Sequence, residues 1–169
     1  QFSGVVERLD VETKGDMRST LLAAGALLTS EGKRAYGFSM RVSVYAGLDR
    51  IRLEPQLLID ADTGLFQDIR ELSLEVRPVS SDWAVVIGGL SGSRLKPSSG
   101  ARLFQVDDRT FRVEGTTKRG AKAPGWAEIV DEKGSFAIAV KDFWQQWPKS
   151  LEVAPDALKI GLLPKFEAD

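Results

Sequence analysis

Apolar and polar residues alternate with a period of two through most of this 169-residue chain. The alternation is clearest over residues 40–46 and 50–57, where apolar side chains occupy every second position. In an extended strand, successive side chains point to opposite faces, so this period gives each strand one apolar face. The pattern predicts strands along the chain and an all-β fold.

Turn-forming residues divide the chain into about a dozen predicted strands. Because the turns are short, we expect neighbouring strands to pair antiparallel. A flat sheet of that width would leave an apolar face in water, so we predict two stacked sheets. The prediction is a large antiparallel β-sandwich, with residues 1–169 as a single domain. The predicted strands are residues 4–11, 18–28, 40–46, 50–57, 70–79, 83–88, 103–106, 110–113, 126–130, 135–140, 150–153 and 158–163.

Two segments have the composition of surface loops. Residues 88–100 are rich in Gly and Ser, and residues 116–125 are rich in Lys and Gly. Neither is long enough to link independent domains. The chain starts without Met and keeps apolar residues and a Pro close to its end. We therefore expect it to be a domain excised from a longer protein.

The chain contains no Cys and no His, and its formal net charge is −1. Zinc sites built from those residues, disulfide frameworks and nucleophile systems that need an imidazole are therefore excluded. The low net charge argues against nucleic acid or an anionic membrane as a partner. We expect no cofactor, whereas chemistry based on carboxylate, Tyr, Lys or Arg side chains remains open.

Residues 60–64 and Glu71 offer some of the oxygen ligands of a calcium-binding loop. The glycine of this segment falls one position early for such a loop, and strand patterns flank it where helices would be needed. We predict a hairpin turn at this place and no metal site.

Lys and Arg are concentrated between residues 94 and 122, whereas acids prevail between residues 49 and 82. A basic loop could bind the carboxylates of an acidic polysaccharide. The residues best placed for such contacts are Lys118, Arg119 and Lys122, because loops can reach a ligand. Solvated loops and cross-strand ion pairs are the alternative, and we favour it.

The most informative local motif contains Phe143, Trp144, Gln145, Gln146 and Trp147, followed by a proline. Trp presents a flat apolar face on which a sugar ring can stack, and Gln can donate to and accept from hydroxyl groups. The motif is therefore a candidate for carbohydrate binding or for docking of a neighbouring domain. The alternative, which we favour, is that these aromatics close the end of the sandwich.

Residues 140–153, followed by residues 158–164, closely resemble a stretch of the rhamnogalacturonan exolyase and YetA-like polysaccharide lyase family. The resemblance implies the central β-sandwich of these multidomain enzymes, of the galactose-mutarotase-like supersandwich type. In the family, this sandwich lies between a small β-barrel and an (α/α) toroid. Further features that agree in order are residues 47–52, residues 69–74, Gln105, Gly125 and Trp126.

The resemblance implies lyase chemistry on a uronate-containing polysaccharide, in which a base removes the proton next to the carboxylate. We expect the catalytic groups to lie mainly in the toroid, and we assign no catalytic residue in this chain. The expected partners are the neighbouring domains and the polysaccharide, and the expected location is secreted or periplasmic. A free-standing carbohydrate-binding module and a structural or adhesion sandwich remain as alternatives.

Overall fold

The computed structural model describes residues 2–60, 69–90, 94–114 and 116–165. These ranges contain thirteen β-strands, one short 3-10 helix (Pro97–Ser99) and no α-helix. All strand pairs are antiparallel, which confirms the predicted fold class. The strands are β1 (Ser3–Lys14), β2 (Arg18–Leu28), β3 (Arg34–Tyr45), β4 (Ile51–Leu58), β5 (Leu72–Val76), β6 (Trp83–Ile87), β7 (Arg102–Gln105), β8 (Phe111–Val113), β9 (Arg119–Gly120), β10 (Trp126–Asp131), β11 (Gly134–Ala139), β12 (Lys149–Val153) and β13 (Leu158–Leu163).

The chain divides into two compact units, Gln1–Gln67 and Asp68–Asp169. The first contains β1 to β4, and the second contains β5 to β13. That residues 1–169 act as a single domain remains a prediction.

In the first unit, β1 to β4 form one antiparallel sheet in which each strand pairs with the next along the chain. β1 carries two bulges, the first between Val6 and Arg8. Near this bulge, a Cβ at Gly25 would lie 1.9 Å from the Val5 carbonyl oxygen. Gly25 therefore permits an approach of β1 to β2 that any larger residue would prevent.

One face of this sheet is polar, and its charged side chains pair with one another. Arg41 donates from Nε and Nη2 to the two carboxylate oxygens of Glu12, each at 2.8 Å. Asp60 accepts from Arg34 at 2.7 Å and from the backbone N–H of Gly37 at 2.8 Å. These guanidinium groups hold the pKa values of Glu12 and Asp60 below their ordinary range. This face is suited to contact with water.

The opposite face of the sheet consists of apolar, aromatic and small residues, with Lys14 and Ser19 at one end. Its side chains are open to solvent along the edge strand, where Leu9 is 66% exposed and Val11 is 62% exposed. We call this surface the apolar face. It consists of Val6, Leu9, Val11, Leu21, Ala23, Gly25, Leu27, Tyr36, Phe38, Met40, Val42, Val44, Ile51, Leu53, Pro55 and Leu57.

The second unit contains a three-stranded sheet, in the order β11-β10-β6, and a six-stranded sheet, in the order β5-β13-β12-β7-β8-β9. Inward-facing side chains from both sheets form one buried core. Val85 and Ile129 come from the small sheet, while Leu103, Leu151 and Leu158 come from the large one. Each of these five side chains is 2% exposed or less. The predicted sandwich is therefore confirmed, with its shared core in this unit.

Most strand predictions are confirmed, and residues 18–28 and 158–163 coincide with β2 and β13. The short strand β9 lies in the predicted loop of residues 116–125. It was not predicted, because two residues are too few to show an alternation. In the predicted loop of residues 88–100, Leu95 exchanges two backbone hydrogen bonds with Val85, at 2.7 and 2.9 Å. Residues 91–93 of that loop, and residues 61–64 of the predicted hairpin turn, lie outside the described residues.

Candidate functional site

The aromatic motif lies in the connection between β11 and β12, which folds into a compact turn. The backbone N–H of Gln146 donates to the carbonyl oxygen of Asp142 at 2.9 Å. Asp142 has a φ of 53°, in the left-handed region that Asp and Asn tolerate better than most residues. The turn closes the connection within a few residues and holds the aromatic side chains at one corner of the second unit.

Phe143 fixes this corner to the core of the sandwich. Its side chain is 2% exposed and belongs to the buried cluster. A Cβ at Gly125, which has a φ of 72°, would lie 2.2 Å from the Cβ of Phe143. Only glycine fits this backbone conformation at such a short distance. Phe143 is thus a packing residue, which agrees with the interpretation that the aromatics of the motif close the end of the sandwich.

Trp144 of the aromatic motif contacts Lys122, one of the basic loop residues predicted as a carboxylate contact. The Nζ of Lys122 lies 4.0 Å from the centroid of the Trp144 ring, within the range of a cation–π interaction. Trp144 is half-buried, whereas Lys122 is exposed. A cation from the basic loop and a flat aromatic surface from the motif therefore form one feature at this corner.

The remaining motif residues face solvent. Trp147 is 48% exposed, and Gln145 and Gln146 are exposed beside it in the chain. Trp126 is 37% exposed, and its indole lies where a Cβ at Gly88 would be, at 2.5 Å from Nε1. The corner thus presents large aromatic surfaces together with amide groups.

Lys118 and Arg119 occupy a different place from Lys122. Arg119 lies in β9 opposite Arg112 of β8. Lys118 precedes it, and its carbonyl oxygen accepts from the backbone N–H of Val113 at 3.0 Å. Among the described contacts, it is Lys122 that meets the aromatic motif, so Lys118 and Arg119 stay predictions as carboxylate contacts.

Gln105 organises the loop that carries Lys122. Its amide nitrogen donates to the carbonyl oxygens of Asp107 and Ala121, at 2.8 and 3.0 Å, and its Oε1 accepts from Ala123 at 2.9 Å. The side chain is fully buried at 0% exposure. In the sequence analysis, Gln105 was noted only as one of the residues that resemble the lyase family. The signal for its positioning role is a polar residue at an inward-facing position of β7, because a buried polar side chain needs hydrogen-bond partners.

Lys149 is a second positioning residue, and its role was not predicted. Its ammonium donates to the carbonyl oxygens of Gln146 at 2.7 Å and Leu162 at 2.8 Å. Burial lowers the pKa of the Lys149 ammonium from its ordinary value. The contacts fasten the end of the aromatic motif to β13. The signal available in the sequence is a Lys placed directly after the motif, at the start of a strand.

One cation of the predicted basic region, Arg102, pairs across strands on the outer side of the six-stranded sheet. Arg102 donates to Glu114 at 3.0 Å and lies 3.7 Å from Glu152. Its guanidinium also stacks 5.0 Å from the centroid of Phe104. These contacts of Arg102 are cross-strand ion pairs, the interpretation that we favoured over ligand binding for the basic region. A cavity of about 230 Å³ beside them is lined by Glu71, Gly100, Arg102, Glu114, Glu152, Lys159 and Lys165.

Two of the carboxylates considered for a calcium loop have other partners, and Asp62 lies outside the described residues. Asp60 pairs with Arg34, and Glu71 pairs with Lys159. Within the part of the chain that the structure describes, no cluster of three or more Asp, Glu, His or Cys side chains could hold a metal ion. The same part of the chain has no helix of the length and apolar character that a membrane crossing requires.

Residues 97–161 match the model of the PcRGLX-like protein central beta sandwich domain. This segment is similar to the central sandwich of rhamnogalacturonan lyase-like proteins. The predicted resemblance is thus confirmed over β7 to β12 and most of β13. Comparisons with curated proteins and with solved structures found no significant match.

The PcRGLX-like segment contains every candidate site residue predicted from the sequence. It includes both sides of the Lys122–Trp144 contact and both positioning residues, Gln105 and Lys149. Residues 47–52 and 69–74 lie outside the matched segment, so their resemblance to the family remains a prediction.

Proposed function

We propose that this chain is a non-catalytic central β-sandwich of a rhamnogalacturonan-type polysaccharide lyase-like protein. In this proposal, the sandwich supports a neighbouring (α/α) toroid domain and lines part of its cleft. Its aromatic corner contacts the uronate-containing polysaccharide. A polymeric substrate of this kind also fits a secreted or periplasmic location.

The contact between Lys122 and Trp144 carries the proposal. A uronate sugar combines a carboxylate with apolar C–H groups on the faces of its ring. An exposed ammonium can attract the carboxylate, and an aromatic surface can stack against the ring. Trp147 of the same motif, with nearly half of its surface exposed, offers a further aromatic side chain to a ligand. The match to the family over this segment supports the choice of an acidic plant polysaccharide as ligand.

The environments of the candidate bases support a non-catalytic role. Both tyrosines of the chain lie in β3, where Tyr36 packs edge-on against Phe2 and Tyr45 lies under Arg50. The Lys149 ammonium is directed to backbone carbonyl groups. β-Elimination needs a base and a charge-stabilising group aimed at the same sugar carbon. A neighbouring domain would supply that pair.

Binding can be tested by calorimetric titration of the chain with rhamnogalacturonan oligosaccharides. We expect weak binding, with Kd of about 1 mM, that falls at least about fivefold in Trp147→Ala and in Lys122→Gln. Phe136→Ala is a matched control, because Phe136 is an aromatic of 47% exposure against 48% for Trp147. Absence of heat at millimolar ligand, or an equal loss in Phe136→Ala, would contradict a role of this corner in binding.

Catalysis can be tested on the same samples by the absorbance of the unsaturated uronate product. We expect no product from the isolated chain. Formation of product that survives Trp147→Ala but is lost in Tyr45→Phe would show a lyase site within this chain and overturn the non-catalytic role.

A further inference from the structure

The apolar face of the first unit exposes more apolar surface than a water-facing sheet normally does. Leu9, Val11 and Ile51 are 66%, 62% and 62% exposed. The other face of the same sheet already carries the polar and charged side chains, so the sheet has the two-sided pattern of one that is covered on its apolar side. A continuous apolar patch of more than several hundred Å² marks an interaction site.

The dimensions of the apolar face suit an interface between two proteins. Its strands are 12, 11, 12 and 8 residues long. With about 3.3 Å per residue and about 4.8 Å between strands, the face measures roughly 36 Å by 19 Å, or about 700 Å². Two such faces would bury about 1,400 Å², within the range of about 1,200–2,000 Å² for stable protein interfaces.

The chemistry of the apolar face also suits pairing with itself. The charged residue on this side of the sheet, Lys14, lies at one end beyond the apolar face, so two copies would meet without like charges at the centre. Small residues of β2, Ala23 and Gly25, lie between the larger side chains of the neighbouring strands, such as Leu9 and Met40. Small residues at the centre of the face let two sheets approach each other closely there.

We propose that two copies of this chain associate through the apolar face. A two-fold axis that lies between the two sheets, over the centre of each, gives each copy the same contacts. The two sheets then form the layers of an intermolecular sandwich, with both polar faces turned to water. Ala23, in the middle of β2, lies close to the axis and to the same residue of the second copy.

The mass of the chain in solution tests this proposal directly. Light scattering after size-exclusion chromatography is expected to give twice 18.5 kDa for the natural chain. Met40→Lys places a charge in the centre of the apolar face and is expected to give the monomer. Ser39→Lys is the matched control, since it adds the same charge at the adjacent position of β3 on the polar face, and it is expected to stay dimeric. A monomeric natural chain, or a Met40→Lys variant that keeps the dimer mass, would overturn the proposal.

Cysteine crosslinking provides a second test that needs no disruptive charge. The natural chain has no Cys, so a single introduced thiol can crosslink only to another copy. Mild oxidation is expected to link Ala23→Cys into covalent dimers and to leave Ala24→Cys, on the polar face, mostly unlinked. Equal crosslinking of the two variants, or none in Ala23→Cys, would count against pairing through this face.

Discussion

The two units use the same kind of strand but differ in how they bury it. In the second unit, side chains from a three-stranded and a six-stranded sheet share one core, and Leu151 is 0% exposed. In the first unit, one four-stranded sheet has a polar face and an open apolar face, and Leu9 is 66% exposed. The alternation of residues thus decides which side of a strand is apolar. Whether that side is buried depends on whether a second sheet packs against it.

The largest contrast is expected from truncation of one leucine in each unit. Leu151→Ala should lower the free energy of unfolding by about 2–5 kcal/mol, because it leaves a cavity in a closed core. Leu58→Ala, at a 43% exposed position of β4, should change it by about 0.5 kcal/mol or less. Chemical denaturation of the two variants measures both values. Similar losses would show that the first unit is packed as tightly as the second.

A smaller contrast is expected between two glutamines. Gln105→Leu removes the partner of the buried backbone N–H of Ala123 and one donor to the carbonyl oxygen of Ala121, and it should cost about 1–3 kcal/mol. Gln56→Leu, on the exposed polar face, removes contacts to Ser39 and Arg41 and should cost about 0.5 kcal/mol or less.

Hydrogen exchange over residues 116–125 provides the second measurement for the glutamine pair. It should speed up in Gln105→Leu, because Gln105 holds the loop that carries Lys122. If exchange there is unchanged while stability falls, Gln105 supports the core and does not position the loop.

The smallest effects are expected from pH, and stability should rise with pH in both units, over an acidic range in the first and an alkaline range in the second. The lowered pKa values of Glu12 and Asp60 give stability that is present above their ordinary values and is lost as pH falls through the lowered ones. The lowered pKa of Lys149 means that the unfolded chain binds more protons, so stability rises with pH between the lowered value and the ordinary one. Melting temperatures of Asp60→Asn and Lys149→Met, each compared with the natural chain across pH, measure these slopes. If the difference in melting temperature between a variant and the natural chain does not change with pH, the protonation of the replaced group is not linked to folding.

Much of the fold could be predicted from the sequence, because each strand leaves a local pattern. Residues 18–28 and 158–163 were predicted with the observed bounds, whereas the two-residue β9 was too short to leave a pattern. At the site, the motif of Phe143 to Trp147 was found from composition and resemblance. The inward direction of Phe143 and the contact of Trp144 with Lys122 were not, because they depend on the meeting of two segments far apart in the chain.

The sequence by itself determined the all-β class, the antiparallel pairing, the exclusion of Cys and His chemistry and the resemblance to the lyase family. These properties follow from residue types and from a period of two along the chain. The tertiary structure decided which residues are covered, that Gln105 and Lys149 position the corner, and that β1 to β4 present an open apolar face. Burial and partners are decided by residues brought together from distant parts of the chain, and no local pattern records them.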